Sequence, residues 1–505
     1  MKLKALLAVI AILLIICAGA FAISNATAST DSVSIDANTL EKKGNITVDS
    51  KTLDVTKGLF STENADINAI LVKNGGLLKL TNSIINKTGD TASTGDDADF
   101  YGINSAVLVN TNGSLEISDV EIFTNSKGSN GIFVTNANAL ESGSSQGGEG
   151  GQPPEAQGTG EGGQPPEAGD GGQPPEKPEG SGDGGQAHEG NGGGPGETTV
   201  SGNTQATIKN VKITTHSDKS RGLDATYSGI INAENVIINT DGQSCAALAT
   251  DRGEGQVHVK NSEINTGVSK TSGRGSPLIY STGNITLENT KGTSYVSQIA
   301  CIEGKNSIEL TDCELNGYGE GNRKDGDTYV DLGGVFIYQS MSGDADVGTS
   351  LFDAKNSKLA IPKESSVYKE APMFHVTNTA CVINLENTEL SFGSPTFLEV
   401  SGQNQWGNEG SNGGVAELNT NNEKIDGNVI VDAISSLNWT MKNSEFKGAI
   451  NSTGNTTVNV AEGSTWTLTG DSSVSSLTVS GKIDYGNYKL TVGDKTYDSS
   501  NPFKG

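Results

Sequence analysis

A short pattern of apolar and polar positions recurs along the chain. It reads apolar, any, apolar, any, Asn or Asp, any, any, apolar, as at residues 78–85, 206–213 and 308–315. The first two apolar positions alternate with polar ones, which predicts a strand with one buried face. The third apolar position comes five residues after the second, where an unbroken strand would face the opposite way. The pattern therefore predicts a bend at the Asn or Asp, since both residue types tolerate left-handed backbone conformations.

The copies of this pattern return at a nearly constant interval. Their centres are Asn82, Asp119, Asn210, Asn235, Asn261, Asn289, Asp312, Asn356, Asn387 and Asn443. From Asn210 to Asp312 the differences between these numbers are 25, 26, 28 and 23 residues. A second run of alternating apolar residues precedes most copies, for example at 277–280 and 334–338. Two or three short strands in such a period predict an all-β fold, a single parallel β-helix whose stacked coils align the Asn residues in a ladder.

The phase of the pattern also predicts which side chains enter the core. The apolar residues before the bend should point inward, and the residues between them should face solvent. The predicted inward set contains Leu78, Leu80, Ile208, Val257, Val259, Ile308 and Leu310. The predicted outward set contains Lys79, Glu116 and Glu309.

One long segment interrupts the repeat and has a different composition. Residues 141–197 contain 21 Gly, eleven acidic residues and no large apolar side chain. Such a segment cannot bury enough apolar surface to offset its chain entropy, so we expect a disordered insert. The predicted organisation is β-helix coils at 23–140, the insert at 141–197, the main coils at 198–500 and a tail at 501–505.

The first residues have the features of an export signal. Lys2 and Lys4 precede an apolar run over 5–23, and small residues at Ala20 and Ala22 suggest cleavage after Ala22. Residues 1–22 are therefore predicted to be a signal peptide of a secreted or cell-surface protein. The alternative is an uncleaved anchor, because the run is about long enough to span a bilayer. A net charge of −26 argues against a nucleic-acid partner, which Lys and Arg would have to neutralise.

With its signal, Asn-rich coils and acidic balance, the chain resembles the adhesin-like right-handed parallel β-helix surface proteins. The resemblance covers about residues 31–497. It implies a non-enzymatic extracellular protein that binds glycans or cell-surface or matrix partners. The same scaffold also carries polysaccharide lyases and glycoside hydrolases, which is the alternative function.

A search for enzyme motifs predicts no catalytic residue. Asn239, Thr240 and Asp241 match one polygalacturonase motif, but its partner motifs are missing, so we interpret them as a strand end entering a turn. His258 lies between two predicted inward valines and is expected on the surface. Arg221 and Arg252 lie in Gly-rich turns and are expected to be solvated.

Ligand-binding candidates come from the acidic turns and the longer loops. Asp96, Asp97 and Asp99 crowd one turn and Asp325, Asp327 and Asp331 another, so calcium is possible, although acidic turns also occur simply for solubility. No other cofactor is predicted. The loops at 319–333 and 403–414 are the expected binding loops. Trp406 is expected to be exposed and to stack on a sugar, or alternatively to cap a coil edge. Cys245, Cys301, Cys313 and Cys381 are expected to be buried core residues.

Overall fold

The computed structural model describes residues 35–93, 96–137, 202–270, 275–321, 323–325 and 328–504. The predicted signal peptide (1–22) and insert (141–197) lie outside the described residues. The described residues belong to one compact unit formed by Met1–Ala139 and Thr199–Gly505, and the second unit, Leu140–Thr198, is not described. None of the helices in the described ranges is both long and apolar enough to cross a membrane.

The described chain is almost entirely β-structure. It contains one short α-helix, α1 (Asp96–Tyr101), a 3-10 turn (Ala37–Thr39) and the strands β1 to β43, numbered in chain order. The first sheet has 21 strands: β1 (Glu41–Gly44), β3 (Thr52–Thr56), β4 (Gly58–Thr62), β6 (Leu77–Thr88), β8 (Ser114–Asn125), β10 (Gln205–His216), β12 (Ile230–Thr240), β14 (Gln256–Lys260), β15 (Glu263–Thr266), β17 (Asn284–Glu288), β18 (Lys291–Ser294), β20 (Ser307–Thr311), β21 (Glu314–Gly317), β25 (Thr349–Lys355), β26 (Lys358–Ala360), β28 (Ala380–Glu386), β29 (Glu389–Ser391), β31 (Val415–Asn421), β34 (Ser436–Lys442), β37 (Asn455–Val460) and β40 (Ser476–Val479).

A second sheet of 13 strands forms another side of the coils. Its strands are β2 (Ile46–Asp49), β5 (Ile70–Lys73), β7 (Val107–Asn110), β9 (Ile132–Thr135), β11 (Leu223–Thr226), β13 (Leu248–Thr250), β16 (Ile279–Ser281), β19 (Ala300–Glu303), β24 (Val335–Tyr338), β27 (Phe374–Thr377), β30 (Thr396–Val400), β33 (Asn428–Val431) and β36 (Ile450–Ser452). Three small sheets complete the described structure. They contain β32 (Lys424–Asp426), β35 (Glu445–Lys447), β38 (Thr465–Thr467) and β41 (Lys482–Asp484); β39 (Ser472–Val474), β42 (Leu490–Val492) and β43 (Lys495–Tyr497); and the pair β22 (Arg323–Asp325) and β23 (Thr328–Val330).

The strands pair in parallel from one coil to the next. In β10, for example, Ala206 lies opposite Leu115 of the preceding coil and Ile231 of the following one. Among the described strands, only β22 with β23 and β42 with β43 pair antiparallel. This arrangement is a parallel β-helix and confirms the predicted fold class.

The bend at the central Asn or Asp is also confirmed. Every predicted centre has a positive φ, between 48° and 57°. Their side-chain amides bond along the helix axis, as from Asn235 Nδ2 to Asn210 Oδ1 at 2.6 Å and from Asn289 Nδ2 to Asn261 Oδ1 at 2.8 Å. Asn422, at φ 59°, is a further bend that the pattern did not predict. The ladder therefore gives the positive-φ residues a hydrogen bond that Gly would lack.

The core lies inside the coils, as the phase of the pattern predicted. All seven predicted inward residues are buried with 0–1% exposure: Leu78, Leu80, Ile208, Val257, Val259, Ile308 and Leu310. The predicted outward residues lie on the surface, and Lys79 Nζ pairs with Glu116 of the next coil at 2.8 Å.

The outer face of the second sheet differs from that of the first, because loops cover much of it. All four residues of β11, β19, β24 and β27 are buried, including those that point away from the core. Helix α1 covers one part, where Thr226 Oγ1 donates to the backbone oxygen of Phe100 at 2.9 Å. The loop after β30 covers another part, where Trp406 packs on Tyr338 with ring centroids 4.7 Å apart. These covering segments create the enclosed surface on which the candidate site lies.

Candidate functional site

A cleft with a volume of about 390 Å³ opens on the covered side of the second sheet. It is lined by Val330, Asp331, Leu332, Glu370, Pro372, His375, Glu399, Gly402, Gln403, Asn404 and Gln405. His375 of β27 and Glu399 of β30 are direct neighbours in the sheet, so their side chains project from adjacent coils into the same space. Val330 ends β23, and the other lining residues come from three loops. A rigid sheet thus forms the floor of the cleft, and loops form its walls.

His375 is held firmly at the floor of the cleft. Its side chain is buried, with Nδ1 3.0 Å from the Leu332 carbonyl oxygen and Nε2 3.0 Å from Gln403 Nε2. The Gln403 amide nitrogen can only donate, so Nε2 of His375 accepts this hydrogen bond. The ring proton therefore lies on Nδ1 of His375, which donates to the Leu332 carbonyl oxygen. The imidazole ring also makes a T-shaped contact with the Phe336 ring, with the ring centroids 5.3 Å apart. The imidazole therefore joins the two loop walls through its two nitrogens.

The two predicted binding loops meet at this cleft. Trp406 Nε1 donates to Asp331 Oδ1 at 2.9 Å, and Asn412 Nδ2 donates to the Trp406 carbonyl oxygen at 2.7 Å. The expectation that Trp406 is exposed is wrong, because the side chain is only 7% exposed. Burial of its indole ring is favourable here because Tyr338 covers the ring and Asp331 accepts from its N–H. The position of Trp406 is closer to the alternative prediction of a cap over a coil edge.

The open part of the cleft is rich in carboxylates and amides. Glu399 Oε1 accepts from the Ser401 hydroxyl at 3.0 Å, and Glu370 is exposed in the loop before β27. Asn404 and Gln405 follow Gln403 along the same loop, and Asn404 is exposed. No Lys or Arg lies among the lining residues that the structure describes. The cleft can therefore offer several planar hydrogen-bonding groups and negative charge to a ligand.

A buried charged cluster lies under α1, on the same side of the second sheet. Arg221 contacts Asp99 of α1 (Nη1 to Oδ1, 2.9 Å), Asp251 (Nη2 to Oδ2, 2.5 Å) and Asp224 (Nε to Oδ2, 3.6 Å). Lys219 Nζ also contacts Asp99, at 2.7 Å. The expectation that Arg221 is solvated is wrong, since α1 covers it and three carboxylates surround it. Together these ion pairs anchor α1 to the sheet.

The three carboxylates of this cluster have different proton affinities. Burial raises the pKa of Asp224 well above its usual value, and it raises the pKa of Asp251 to about 7. Burial acts on Asp99 in the same direction, but Arg221 and Lys219 outweigh it and hold the pKa of Asp99 below its usual value. The single positive charge of Arg221 cannot neutralise three buried carboxylates. Asp224 and Asp251 therefore keep a raised affinity for a proton, and the two groups titrate together.

Arg252 links two of the segments that cover the second sheet. Its guanidinium lies 3.7 Å from the centroid of the Phe100 ring and forms an ion pair with Asp344. The expectation of a solvated Arg252 is therefore also wrong. The residue binds α1 to the loop that follows β24.

The acidic turns do not form a metal centre in the part of the chain that the structure describes. Asp99 is engaged by two cationic side chains, and Asp331 accepts from Trp406. No group of three or more His, Cys, Asp or Glu side chains in the described ranges is placed to hold a metal ion. Asp327 and the side chains of Asp96 and Asp325 lie outside what the structure describes.

Other residues singled out from the sequence have structural positions. Asn239 and Thr240 end β12, as predicted, and Asn239 Oδ1 accepts from Asn265 Nδ2 at 3.1 Å in a second amide ladder. His258 lies on the outer side of β14, also as predicted, with Nδ1 2.8 Å from Thr286 Oγ1. The four cysteines are buried, as expected: Cys245, Cys301, Cys313 and Cys381.

No protein-family model matches the chain, and no curated protein matches its sequence. Membership of the adhesin-like β-helix proteins stays a prediction from the sequence, and function has to be inferred from the cleft itself.

Proposed function

We propose that this protein is a secreted or cell-surface, non-enzymatic adhesin-like protein that binds a glycan in the cleft around His375. The observation that carries the proposal is the convergence of both predicted binding loops on one cleft. Its volume of about 390 Å³ lies within the range of small-ligand sites. Sugar hydroxyls both donate and accept hydrogen bonds, and the amides of Asn404 and Gln405 can match both roles.

The support of the cleft is suited to recognition. Binding groups are most precise where packed and hydrogen-bonded neighbours fix their positions. Here the β-sheet positions His375 and Glu399, and the Trp406–Asp331 hydrogen bond joins the two loops. A ligand would therefore meet a largely preformed surface and would pay little for ordering the loops.

The extracellular setting rests on sequence features outside the described residues. The predicted signal at 1–22 would export the chain, and the partner would be an extracellular glycan or a cell-surface protein. The membrane would be involved only if the N-terminal segment were retained as an anchor. The net charge of −26 makes nucleic acid an unfavourable partner.

The proposal can be tested with a glycan array and a pair of matched variants. Asn404 lines the cleft, whereas Asn408 is exposed in the same loop and is not among the lining residues. Asn404→Ala should weaken binding of the best array ligand by roughly fivefold, because one hydrogen bond to a ligand contributes about 1 kcal/mol. Asn408→Ala should leave binding unchanged. Equal binding by both variants and the wild type would exclude this cleft.

A polysaccharide-cleaving activity is the second candidate, and one observation favours it. Glu370 and Glu399 line the same cleft, and glycoside hydrolysis uses two carboxylates on either side of the scissile bond. Incubation with the bound glycan, followed by an assay for new reducing ends, distinguishes the two functions. Release that disappears in Glu399→Gln would establish the enzyme, and intact glycan would support the adhesin.

A further inference from the structure

Several acidic side chains on the outer face of the coils are neutralised by basic neighbours. On the first sheet, these Glu side chains pair with Lys residues of the adjacent coil. Examples are Lys79 with Glu116 at 2.8 Å, Lys260 with Glu288 at 2.6 Å and Lys355 with Glu386 at 3.4 Å. These ladders neutralise the surface charge locally.

In the cleft, Glu370 and Glu399 have no such basic partner among the described residues. Both line the same space, and none of the described ion pairs involves either of them. Glu399 accepts a hydrogen bond from a neutral group, the Ser401 hydroxyl. The third acidic residue of the lining, Asp331, is buried and accepts from the Trp406 indole. The described lining therefore offers the carboxylates of Glu370 and Glu399 to a ligand and contains no Lys or Arg.

The only basic side chain of the lining does not offset this charge in the described geometry. His375 uses Nδ1–H for the Leu332 carbonyl oxygen and Nε2 as an acceptor for Gln403. Concave walls of low dielectric strengthen the field of like charges and raise the local concentration of counter-ions. A ligand that brings positive charge is attracted, and a ligand that brings carboxylates or sulfates is repelled.

We infer that the cleft selects a glycan with free, protonated amino groups, an amino-sugar oligomer, over neutral and acidic glycans. This inference rests on the proposed glycan-binding function and adds the class of sugar. Ammonium groups of the ligand would form charge-assisted hydrogen bonds with Glu370 and Glu399, which are roughly twice as strong as neutral ones. The ring hydroxyls would be bound by the amides of Asn404 and Gln405.

Four oligosaccharides of equal length provide the test. They are a glucosamine oligomer with free amines, its fully N-acetylated form, a neutral glucose oligomer and a galacturonic acid oligomer. Binding is measured by titration calorimetry with the full mature chain at mildly acidic pH and physiological salt. Exposed charges farther apart than about 8 Å are largely screened there. The free-amine oligomer should bind at least tenfold more tightly than the neutral oligomers, and the acidic oligomer should bind most weakly.

Variants then locate the source of this preference. Glu399→Gln and Glu370→Gln keep the side-chain shape and should each reduce the preference for the amine by about tenfold. Glu309→Gln removes an equal charge from the exposed outer face of β20 and should change nothing. Circular dichroism confirms that each variant is folded. The Glu309→Gln control thus separates the charge of the cleft from the general acidity of the chain.

The possible outcomes separate this inference from the proposed function. Equal binding of amine and neutral oligomers, lost in Asn404→Ala, would overturn the amino-sugar inference and leave glycan binding in place. An amine preference that survives both cleft variants would also overturn it, because general acidity would then be the cause. Absence of binding to every oligomer and to the glycan array would overturn the proposed function itself.

Discussion

The buried cluster around Arg221 should make the stability of the protein fall as pH rises. Asp251 has its pKa raised by burial from a usual 3.8 to about 7. Below about pH 4 the carboxyl group is protonated in both the folded and the unfolded chain. Between about pH 4 and 7 only the folded chain holds the proton, so each rise in pH favours unfolding. Above about pH 7 both states have lost the proton and the effect is complete.

The size of this effect follows from the shift. One pKa unit corresponds to about 1.4 kcal/mol, so a shift of about three units costs about 4 kcal/mol by pH 8. Asp251→Asn removes the titration while keeping the shape of the side chain. Compared with the wild type, this variant should therefore gain about 4 kcal/mol between pH 4 and pH 8. Asp224, whose pKa is also raised by burial, leaves part of the pH dependence in the variant.

Urea unfolding followed by far-UV circular dichroism from pH 4 to pH 8 measures this difference. Asp54→Asn is the control, because Asp54 is an exposed residue of β3. The free energy of unfolding of the control should change with pH as that of the wild type does. The free energy of unfolding of Asp251→Asn should diverge steadily from the wild-type value up to about pH 7. Parallel profiles for Asp251→Asn and the wild type would refute the assignment of a proton to this pair.

Two further predictions concern the core and the bends. Ile308→Lys should destabilise the protein by about 3 kcal/mol or more, because it buries an unpaired charge, whereas Glu309→Lys at the next, exposed position should stay within about half a kcal/mol. Similar urea midpoints for these two variants would contradict the register. Asn235→Gly should cost about 1 kcal/mol, since it keeps the φ of 55° but loses the amide bond to Asn210, while Asn235→Val should cost about 1–2 kcal/mol more from backbone strain. Thermal melting of the two Asn235 variants checks this order of stability. A Val variant as stable as the Gly variant would rule out the left-handed bend.

The repeat was predictable because each coil carries its own local signal. Alternating apolar residues define the inward face, and the Asn marks the bend, so neither depends on distant parts of the chain. Asn422 shows where that signal weakens. Thr420 replaces an apolar residue at the third position of the pattern, although its side chain is buried like the others. A pattern that requires an apolar residue at this position therefore does not detect this coil, although its geometry is the same.

The candidate site was predictable only in part because its contacts are distant in sequence. The two binding loops were recognised, but Trp406 and its partner Asp331 are 75 residues apart, so the burial of the indole had no local signal. Arg221 was expected to be solvated for the same reason, since Asp99 lies 122 residues earlier. His375 and Glu399 become neighbours only through the register of two coils separated by loops of irregular length.

The most direct test of the central claim is a crystal structure of the protein with the tightest-binding oligosaccharide from the array. The account predicts sugar density in the cleft, with hydroxyl groups within hydrogen-bond distance of the Asn404 or Gln405 amides and one ring beside Glu399. Sugar bound elsewhere, for example along the Lys and Glu ladders of the first sheet with the cleft empty, would contradict it.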